Sequence, residues 1–207
     1  MINKQMKQLI EARKKVEPQD DEGTKEYWDK EIEVLEQSLD WTIDYLKNAS
    51  DDEIYWSTEI WDDISEYFCS KKLLDTFKYC EKKCYEDKDR LKMSVYYAEM
   101  MTKIGISKKM KQLTDGLKSI SNKDINQIND IELKQFELLS QSLDWTIEYL
   151  NNASEEEILY GSKIWNKLNS FYKSNELINV MVECAKKYPN IYEKIKGNIP
   201  KLGVNNG

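Results

Sequence analysis

Residues 37–50 of this chain read QSLDWTIDYLKNAS, and residues 141–154 read QSLDWTIEYLNNAS. The two stretches are identical at twelve of fourteen positions and lie 104 residues apart. Because that offset is half of the 207-residue chain, the sequence predicts a tandem duplication. The predicted domains are residues 1–104 and residues 105–207, each one repeat unit.

Apolar residues recur at steps of three and four through both halves, which is the spacing of one face of an α-helix. Around the repeated stretch, Trp28, Leu35 and Ile43 belong to such a stripe, and we expect one long helix over residues 24–47. No stretch shows the alternation typical of a strand. We expect further helices in the first half over residues 3–16, 51–68, about 70–87 and 88–103, with counterparts in the second half.

Polar residues mark where these helices begin. Residues 50–53 and 154–157 both read S-x-x-E, which predicts a capping box at the start of the following helix. Ser70 and Ser174 are predicted N-caps. The small residue pair Ser57 and Gly161 predicts a close helix crossing at that position of each unit.

These patterns predict an all-α fold, a tandem duplication of a four-to-five-helix unit. The two units form either a short α-superhelix or a pseudo-twofold pair of bundles. Periodicity does not choose between these two arrangements.

Composition indicates a soluble, cytoplasmic protein. Hydrophobic residues make up 40% of the chain and charged residues 33%, as in globular domains. No apolar run approaches the roughly 18 residues of a membrane span, and the N-terminal residues lack the apolar core of a signal peptide. The four cysteines are therefore expected to be reduced thiols. Frequent Lys, Asn and Ile suggest an AT-rich bacterial genome.

The acidity of the chain is concentrated in its first half. The net charge is −7, and residues 1–104 hold 17 basic and 25 acidic residues, whereas residues 105–207 hold 14 and 13. Nucleic acids are recognised by basic clusters, so we expect no direct nucleic-acid binding. A basic protein is the partner that this charge favours.

The residues of common catalytic and metal sites are missing. There is no histidine, which removes the usual general base and the commonest neutral metal ligand. Cys80 and Cys184 occupy matching positions and are interpreted as small core residues, with a metal or redox role as the alternative. Asp40 and Asp144 also match, and we interpret them as solvated or helix-bonding residues rather than a catalytic pair. We expect no enzyme activity, no cofactor and no metal.

Two tryptophans recur in both halves. Trp41 matches Trp145, and Trp61 matches Trp165. Residues kept in both units most simply serve the packing that both need. We therefore predict core or inter-unit contacts for all four, with ligand binding as the alternative.

The two halves differ most on the outward side of residues 51–68. There the first half has acidic and aromatic side chains that the second half replaces or reverses in charge. An acidic strip with Tyr and Trp beside it predicts a surface for a basic protein; the alternative is an ordinary solvated helix face. The predicted partner-binding residues are Asp52, Tyr55, Trp56, Glu59, Asp62, Asp63 and Glu66; their counterparts are Glu156, Leu159, Tyr160, Lys163, Asn166, Lys167 and Ser170.

Several segments resemble small α-helical immunity proteins that accompany bacterial polymorphic or contact-dependent toxins. They are residues 38–46 (SLDWTIDYL), residues 60–67 (IWDDISEY), residues 171–178 (FYKSNELI) and residues 185–189 (AKKYP). The resemblance implies a cytosolic, non-catalytic inhibitor that occludes a cognate toxin domain by tight one-to-one binding. Many such toxins are basic nucleases, which the acidic half would suit.

Two other classes stay open. A helical repeat adaptor, or a phage-encoded anti-defence protein, would bind a host protein instead of a toxin. An enzyme that uses carboxylates or cysteine is a third possibility, for which the sequence offers little.

Overall fold

The computed structural model describes residues 2–85, 87–120 and 124–201. Within these residues every regular element is helical and no strand occurs, as the sequence predicts. None of the described helices combines the length and apolar character needed to cross a membrane. The chain divides into two compact units, Met1–Gly105 and Ile106–Gly207, which we call unit 1 and unit 2.

Unit 1 contains six complete helices and the first part of a seventh among its described residues. A 3-10 turn, Thr58–Ile60, connects α4 to α5. The helices are α1 (Ile2–Arg13), α2 (Asp21–Leu35), α3 (Leu39–Asn48), α4 (Asp51–Ser57), α5 (Trp61–Phe68), α6 (Lys71–Lys83) and residues 88–105 of α7 (Lys88–Ser119).

Unit 2 begins with the rest of α7 and has a 3-10 turn, Ser162–Ile164, in the corresponding place. Its helices from α8 to α12 begin and end 104 residues after α2 to α6. They are α8 (Ile125–Leu139), α9 (Leu143–Asn152), α10 (Glu155–Gly161), α11 (Trp165–Tyr172) and α12 (Asn175–Lys187), followed by α13 (Pro189–Ile195) and the 3-10 turn Lys196–Asn198.

The prediction of one long helix over residues 24–47 is wrong, because the helix is interrupted between α2 and α3. Ser38 has an extended backbone and caps α3, its Oγ accepting from the Trp41 amide at 3.4 Å. The Thr42 hydroxyl donates to the Leu35 carbonyl at 2.5 Å, which satisfies one carbonyl at the end of α2. Leu35 and Leu39 stay four residues apart across the break, so the apolar stripe continues and hides it.

The predicted helix over residues 51–68 is also interrupted, although its start is confirmed. Ser50 and Glu53 form the predicted capping box, and Ser154 and Glu157 form the matching one. The 3-10 turn Thr58–Ile60 then separates α4 from α5. A tighter turn changes the direction of every later side chain, so α4 and α5 do not share the single outward strip that a continuous helix would have.

The helix predicted over residues 88–103 does not end there, because α7 runs through Gly105 to Ser119. A Cβ atom at Gly105 would lie 2.5 Å from the Glu66 carbonyl oxygen and 2.6 Å from the Cys69 Sγ. Glycine is therefore required at this point of α7 by the close approach of α5. Gly161 differs, since its Cβ would meet nothing within 4 Å. The close crossing predicted at Gly161 is wrong.

Three of the four tryptophans that recur at matching positions form part of the core. Trp61 is fully buried and stacks on Phe77 with ring centroids 4.4 Å apart. Trp165 and Trp145 are buried in unit 2. Trp41, however, is 57% exposed, so the core alternative predicted for it is wrong.

The loop between α5 and α6 has the same form in both units. Cys69 and Lys173 end α5 and α11 in the left-handed conformation, with φ of 51° and 50°. Ser70 and Ser174 then cap α6 and α12, as predicted. This turn fixes the direction in which the following helix returns across the unit.

Candidate functional site

The residues of the predicted acidic strip lie in three different environments. The first is the start of α4, where Asp52 is exposed and pairs with Lys14, the residue that follows α1. Lys14 also lies 2.9 Å from Glu11, so it is shared between two carboxylates. Both carboxylates are about half exposed, and ion pairs of this kind contribute little to stability.

Glu59 is in the second environment, and its predicted outward position is wrong. It lies in the 3-10 turn, where its Oε2 accepts from Arg13 Nη1 at 2.5 Å and from Trp28 Nε1 at 2.9 Å. Its Oε1 accepts from Arg90 Nη2 at 2.6 Å. One carboxylate therefore connects α1, α2 and α7 to the turn between α4 and α5. Both oxygens of Glu59 therefore accept hydrogen bonds within unit 1.

Tyr55 and Trp56 belong to the same internal network. Arg90 Nη1 donates to the Tyr55 hydroxyl at 3.0 Å, and its guanidinium lies 4.3 Å from the centre of the Tyr55 ring. Arg13 Nη2 donates to the Trp56 carbonyl at 2.6 Å, and the guanidinium lies 5.3 Å from the Trp56 ring. Both side chains are half-buried, and each ring lies close to one of these two arginines.

Behind Glu59 lies a buried ion pair that the sequence analysis missed. Arg13 Nε is 3.2 Å from Glu31 Oε1, and both side chains are almost completely buried. The orientation does not make a hydrogen bond, and neither Glu31 oxygen accepts one. Burial raises the pKa of Glu31 to about 7; Arg13 opposes this shift and Glu59 adds to it. The available signal was Arg13 itself, a charged residue on the apolar side of α1.

The third environment is an acidic surface on α2 and α5, formed by Asp29, Asp62, Asp63 and Glu66, which we call the acidic cluster. Asp29 and Asp63 are exposed, and Asp62 and Glu66 are half-buried. Although the Asp63 side chain remains in contact with solvent, partial desolvation raises its pKa, and the nearby charges of Asp62, Glu66 and Asp29 raise the pKa further. Lys25, which pairs with Asp29 at 2.7 Å, opposes that shift. These carboxylates therefore repel one another at the surface.

Asp29 is the member of the acidic cluster that the sequence analysis missed. It lies on α2, more than thirty residues before Asp62, and contact between α2 and α5 places its charge near Asp63. The sequence predicted one continuous helix over residues 24–47. That prediction gave no indication that α2 is a separate helix that packs against α5.

The corresponding surface of unit 2 carries no acidic residue at these positions. Leu133, Asn166, Lys167 and Ser170 stand where unit 1 has the acidic cluster. Lys167 Nζ lies 4.2 Å from the centre of the Phe136 ring, and Phe136 meets the exposed Phe171 edge to face. This surface is therefore apolar and cationic, although the helices beneath it have the same bounds.

The thiols are poor candidates for reactive groups. All four cysteines, each within the described residues, are buried and none forms a disulfide. Burial raises the pKa of Cys80 to about 12, so this thiol keeps its proton at neutral pH. The described residues contain no group of three or more Cys, Asp or Glu side chains placed to hold a metal ion. The surface feature with the clearest chemistry is the acidic cluster, which attracts cationic groups.

No protein-family model matches this chain, and no curated protein and no solved structure is significantly similar to it.

Proposed function

We propose that this chain is a non-catalytic inhibitor that binds a basic protein through the acidic cluster of unit 1. The partner that fits best is a bacterial toxin domain, which makes the chain an immunity protein acting in the cytoplasm. The observation that carries the proposal is the placement of Asp29, Asp62, Asp63 and Glu66 near one another on α2 and α5. Desolvation raises the pKa of Asp63 most, and the charges of the three neighbouring carboxylates add to that rise. A cationic partner would relieve that repulsion on binding.

The comparison between the units supports the same assignment. The helices around the acidic cluster keep their bounds at the matching positions of unit 2, but the acidic side chains do not recur there. The fold of a unit therefore does not need these charges. We infer that the halves arose by tandem duplication and that unit 1 alone has the acidic surface for the partner.

Glu59, Tyr55 and Trp56 take a supporting role in this proposal. Their contacts with Arg13 and Arg90 fix the turn that precedes α5. Because Asp62 and Asp63 follow that turn directly, the network sets the direction in which the acidic cluster points. Mutation of Glu59 should therefore weaken binding through loss of stability, whereas mutation of Asp63 should weaken it directly.

Growth protection tests the proposal. Cells would express the product of the gene directly upstream, with or without this chain, and their growth would be followed. We expect the chain to restore growth, and Asp62→Lys combined with Asp63→Lys to abolish protection while the helical content is unchanged. If the unmodified chain gives no protection, the toxin assignment fails. The alternative is then a helical repeat adaptor or a phage-encoded anti-defence protein, whose partner is a host protein.

A further inference from the structure

The surface that α8 and α11 form in unit 2 exposes apolar side chains and lysines together. Phe171 is 57% exposed and Leu133 is 44% exposed, although both are large apolar residues. Lys163 and Lys167 are also exposed. Exposed apolar side chains that lie together mark interaction sites, so this surface is a candidate for a second partner. We call it the α8–α11 face: Leu133, Phe136, Lys163, Lys167 and Phe171.

The members of the α8–α11 face form one continuous surface. Lys167 Nζ lies 4.2 Å from the centre of the Phe136 ring. The Phe136 ring in turn meets Phe171 edge to face, with ring centroids 5.8 Å apart. Leu133 precedes Phe136 by three residues on α8, which makes the two side chains neighbours on that helix. These contacts therefore join the two helices across the boundary where they pack.

The charge of the α8–α11 face is positive, opposite to that of the matching surface in unit 1. Residues 158–175 contain three lysines and no acidic residue, whereas residues 54–71, the matching stretch, contain four acidic residues and one lysine. Lys163 Nζ lies 3.5 Å from Glu132 Oε1. Lys167, by contrast, forms no ion pair with any residue that the structure describes. The charge of Lys167 is therefore available to a partner.

The remaining acidic residues of α8 do not neutralise this charge. Asp130 pairs with Lys134 at 2.7 Å. Glu137 lies on the side of α8 that meets α7, where it lines a groove together with Lys109. Glu132, the third carboxylate of this helix, is already shared with the turn before α11. The α8–α11 face therefore keeps an excess of positive charge beside its apolar side chains.

We propose that the α8–α11 face binds an acidic segment of another protein, in which carboxylates flank apolar side chains. Phe171 and Leu133 contact the apolar side chains of that segment. Lys163 and Lys167 contact its carboxylates. Charge complementarity selects this occupant, because the two lysines would repel a basic segment. Unit 2 thus takes a partner opposite in charge to the basic protein proposed for unit 1.

Nucleic acid and a second copy of the chain fit the α8–α11 face less well. Phosphate binding needs many basic contacts, and residues 105–207 hold 14 basic and 13 acidic residues. The acidic cluster of a second copy has the right charge. Among the residues of α2 and α5, however, Tyr67 alone is an exposed large apolar side chain. That cluster therefore offers little to cover both Phe171 and Leu133.

Fluorescence anisotropy of the full chain with labelled synthetic peptides tests this inference. Two peptides of about fifteen residues, or about four helical turns, would share one apolar face and carry either Glu or Lys at every polar position. We expect the acidic peptide to bind. Lys167→Glu combined with Phe171→Ser should weaken that binding at least about tenfold, with unchanged circular dichroism.

The matched control variant is Lys194→Glu combined with Tyr192→Ser. It makes the same charge change and also removes an exposed aromatic ring, but on α13 of the same unit. It should alter the affinity for the acidic peptide less than about threefold. Absence of binding by the acidic peptide, or an equal loss in the control variant, overturns the proposal.

The basic peptide keeps this test separate from the function proposed for unit 1. It should bind the acidic cluster, and Asp62→Lys with Asp63→Lys should weaken its binding without weakening that of the acidic peptide. If the basic peptide alone fails to bind, the partner proposed for unit 1 is contradicted and the α8–α11 inference stands. If the acidic peptide alone fails to bind, the reverse holds.

The other two occupants are outcomes of parallel measurements. A labelled oligothymidylate of about fifteen nucleotides is the probe for nucleic acid. Tighter binding of this probe than of the acidic peptide, lost in Lys167→Glu with Phe171→Ser, would assign the face to nucleic acid. A sedimentation mass that rises above 24.6 kDa with concentration, but not in that variant, would assign it to a second copy. Either result overturns the proposal.

Discussion

Arg13 Nε lies 3.2 Å from Glu31 Oε1 in the interior of unit 1, where both side chains are excluded from water. The positions 104 residues later are Leu117 and Gln135, which are also buried. At these positions unit 1 therefore has a buried charge pair and unit 2 has two uncharged side chains, although α2 and α8, which carry Glu31 and Gln135, have matching bounds. Charge pairs that lie deep in a protein are costly to desolvate and strongly destabilising to break, so the two units should respond differently to pH and to mutation.

Unit 1 should become less stable as the pH rises from about 4.5 to about 7. The pKa of Glu31 is about 7 in the folded chain, compared with about 4.5 in the unfolded chain. The native state thus binds more protons than the unfolded state in that window, and the resulting loss of unfolding free energy approaches about 3 kcal/mol. Glu31→Gln should remove most of this pH dependence in thermal unfolding followed by circular dichroism. An unchanged pH profile in Glu31→Gln would show that burial does not raise the pKa of this carboxyl group.

Introducing a carboxylate at Gln135 should destabilise unit 2 more severely. Gln135 is fully buried, and Leu117 stands where unit 1 has the compensating Arg13. Gln135→Glu should lower the melting temperature at pH 8. At pH 5 the new side chain takes up a proton, so the melting temperature should return towards that of the unmodified chain. Equal melting temperatures of Gln135→Glu at pH 8 and pH 5 would exclude this explanation.

Removing Arg13 alone should destabilise the chain more than removing both Arg13 and Glu31. Arg13→Leu leaves Glu31 buried without a cation and takes two hydrogen bonds from Glu59 and Trp56, and we expect a loss of about 3–5 kcal/mol. Adding Glu31→Gln should recover part of that loss, because no uncompensated charge then remains. Urea unfolding of the two single variants and the double variant measures the coupling, and strictly additive losses would contradict the structural account.

Local features of the fold could be predicted from the sequence, since they depend on residues close together in the chain. The capping boxes at Ser50 and Ser154 are examples, and the helical face containing Trp61 is another. The break at Ser38 was missed because Leu35 and Leu39 keep the helical spacing across it. Spacing alone cannot distinguish one helix from two whose apolar faces remain in phase.

The candidate site was predicted less well, because its geometry depends on contacts between distant residues. Glu59 looked like an outward acid, yet it meets Arg13 and Arg90, which are 46 and 31 residues away in the chain. Asp62, Asp63 and Glu66 do share a surface, and Asp29 joins them from α2. A charge pattern on one helix gives no information about which charges a neighbouring helix neutralises and which it adds to.

Trp61 and Trp41 of unit 1 should differ sharply on truncation. Trp61 is fully buried against Phe77, so Trp61→Ala should cost about 3–5 kcal/mol. Trp41 is mostly exposed, and Trp41→Ala should cost less than about 1 kcal/mol. Urea unfolding of both variants checks the contrast. A cost for Trp41→Ala close to that of Trp61→Ala would contradict the exposed position of Trp41.

Gly105 and Gly161 should respond to alanine in opposite directions. Gly105→Ala places a Cβ against the Glu66 carbonyl and the Cys69 sulfur, and the resulting strain should cost about 1–3 kcal/mol. Gly161→Ala enters open space at the end of α10 and should stabilise the chain by about 0.5–1 kcal/mol. Melting temperatures of the two variants give the signs directly, and a stabilising Gly105→Ala would contradict the described packing of α7 on α5.

The affinity of the chain for the product of the gene directly upstream, measured by titration calorimetry, tests the role of the acidic cluster most directly. Asp62→Lys with Asp63→Lys should weaken binding at least about tenfold, or about 1.4 kcal/mol. Asp130→Lys with Glu137→Lys makes the same charge change on exposed residues of unit 2 and should alter affinity less than about threefold. Equal affinities for the cluster variant and the unmodified chain would contradict the account.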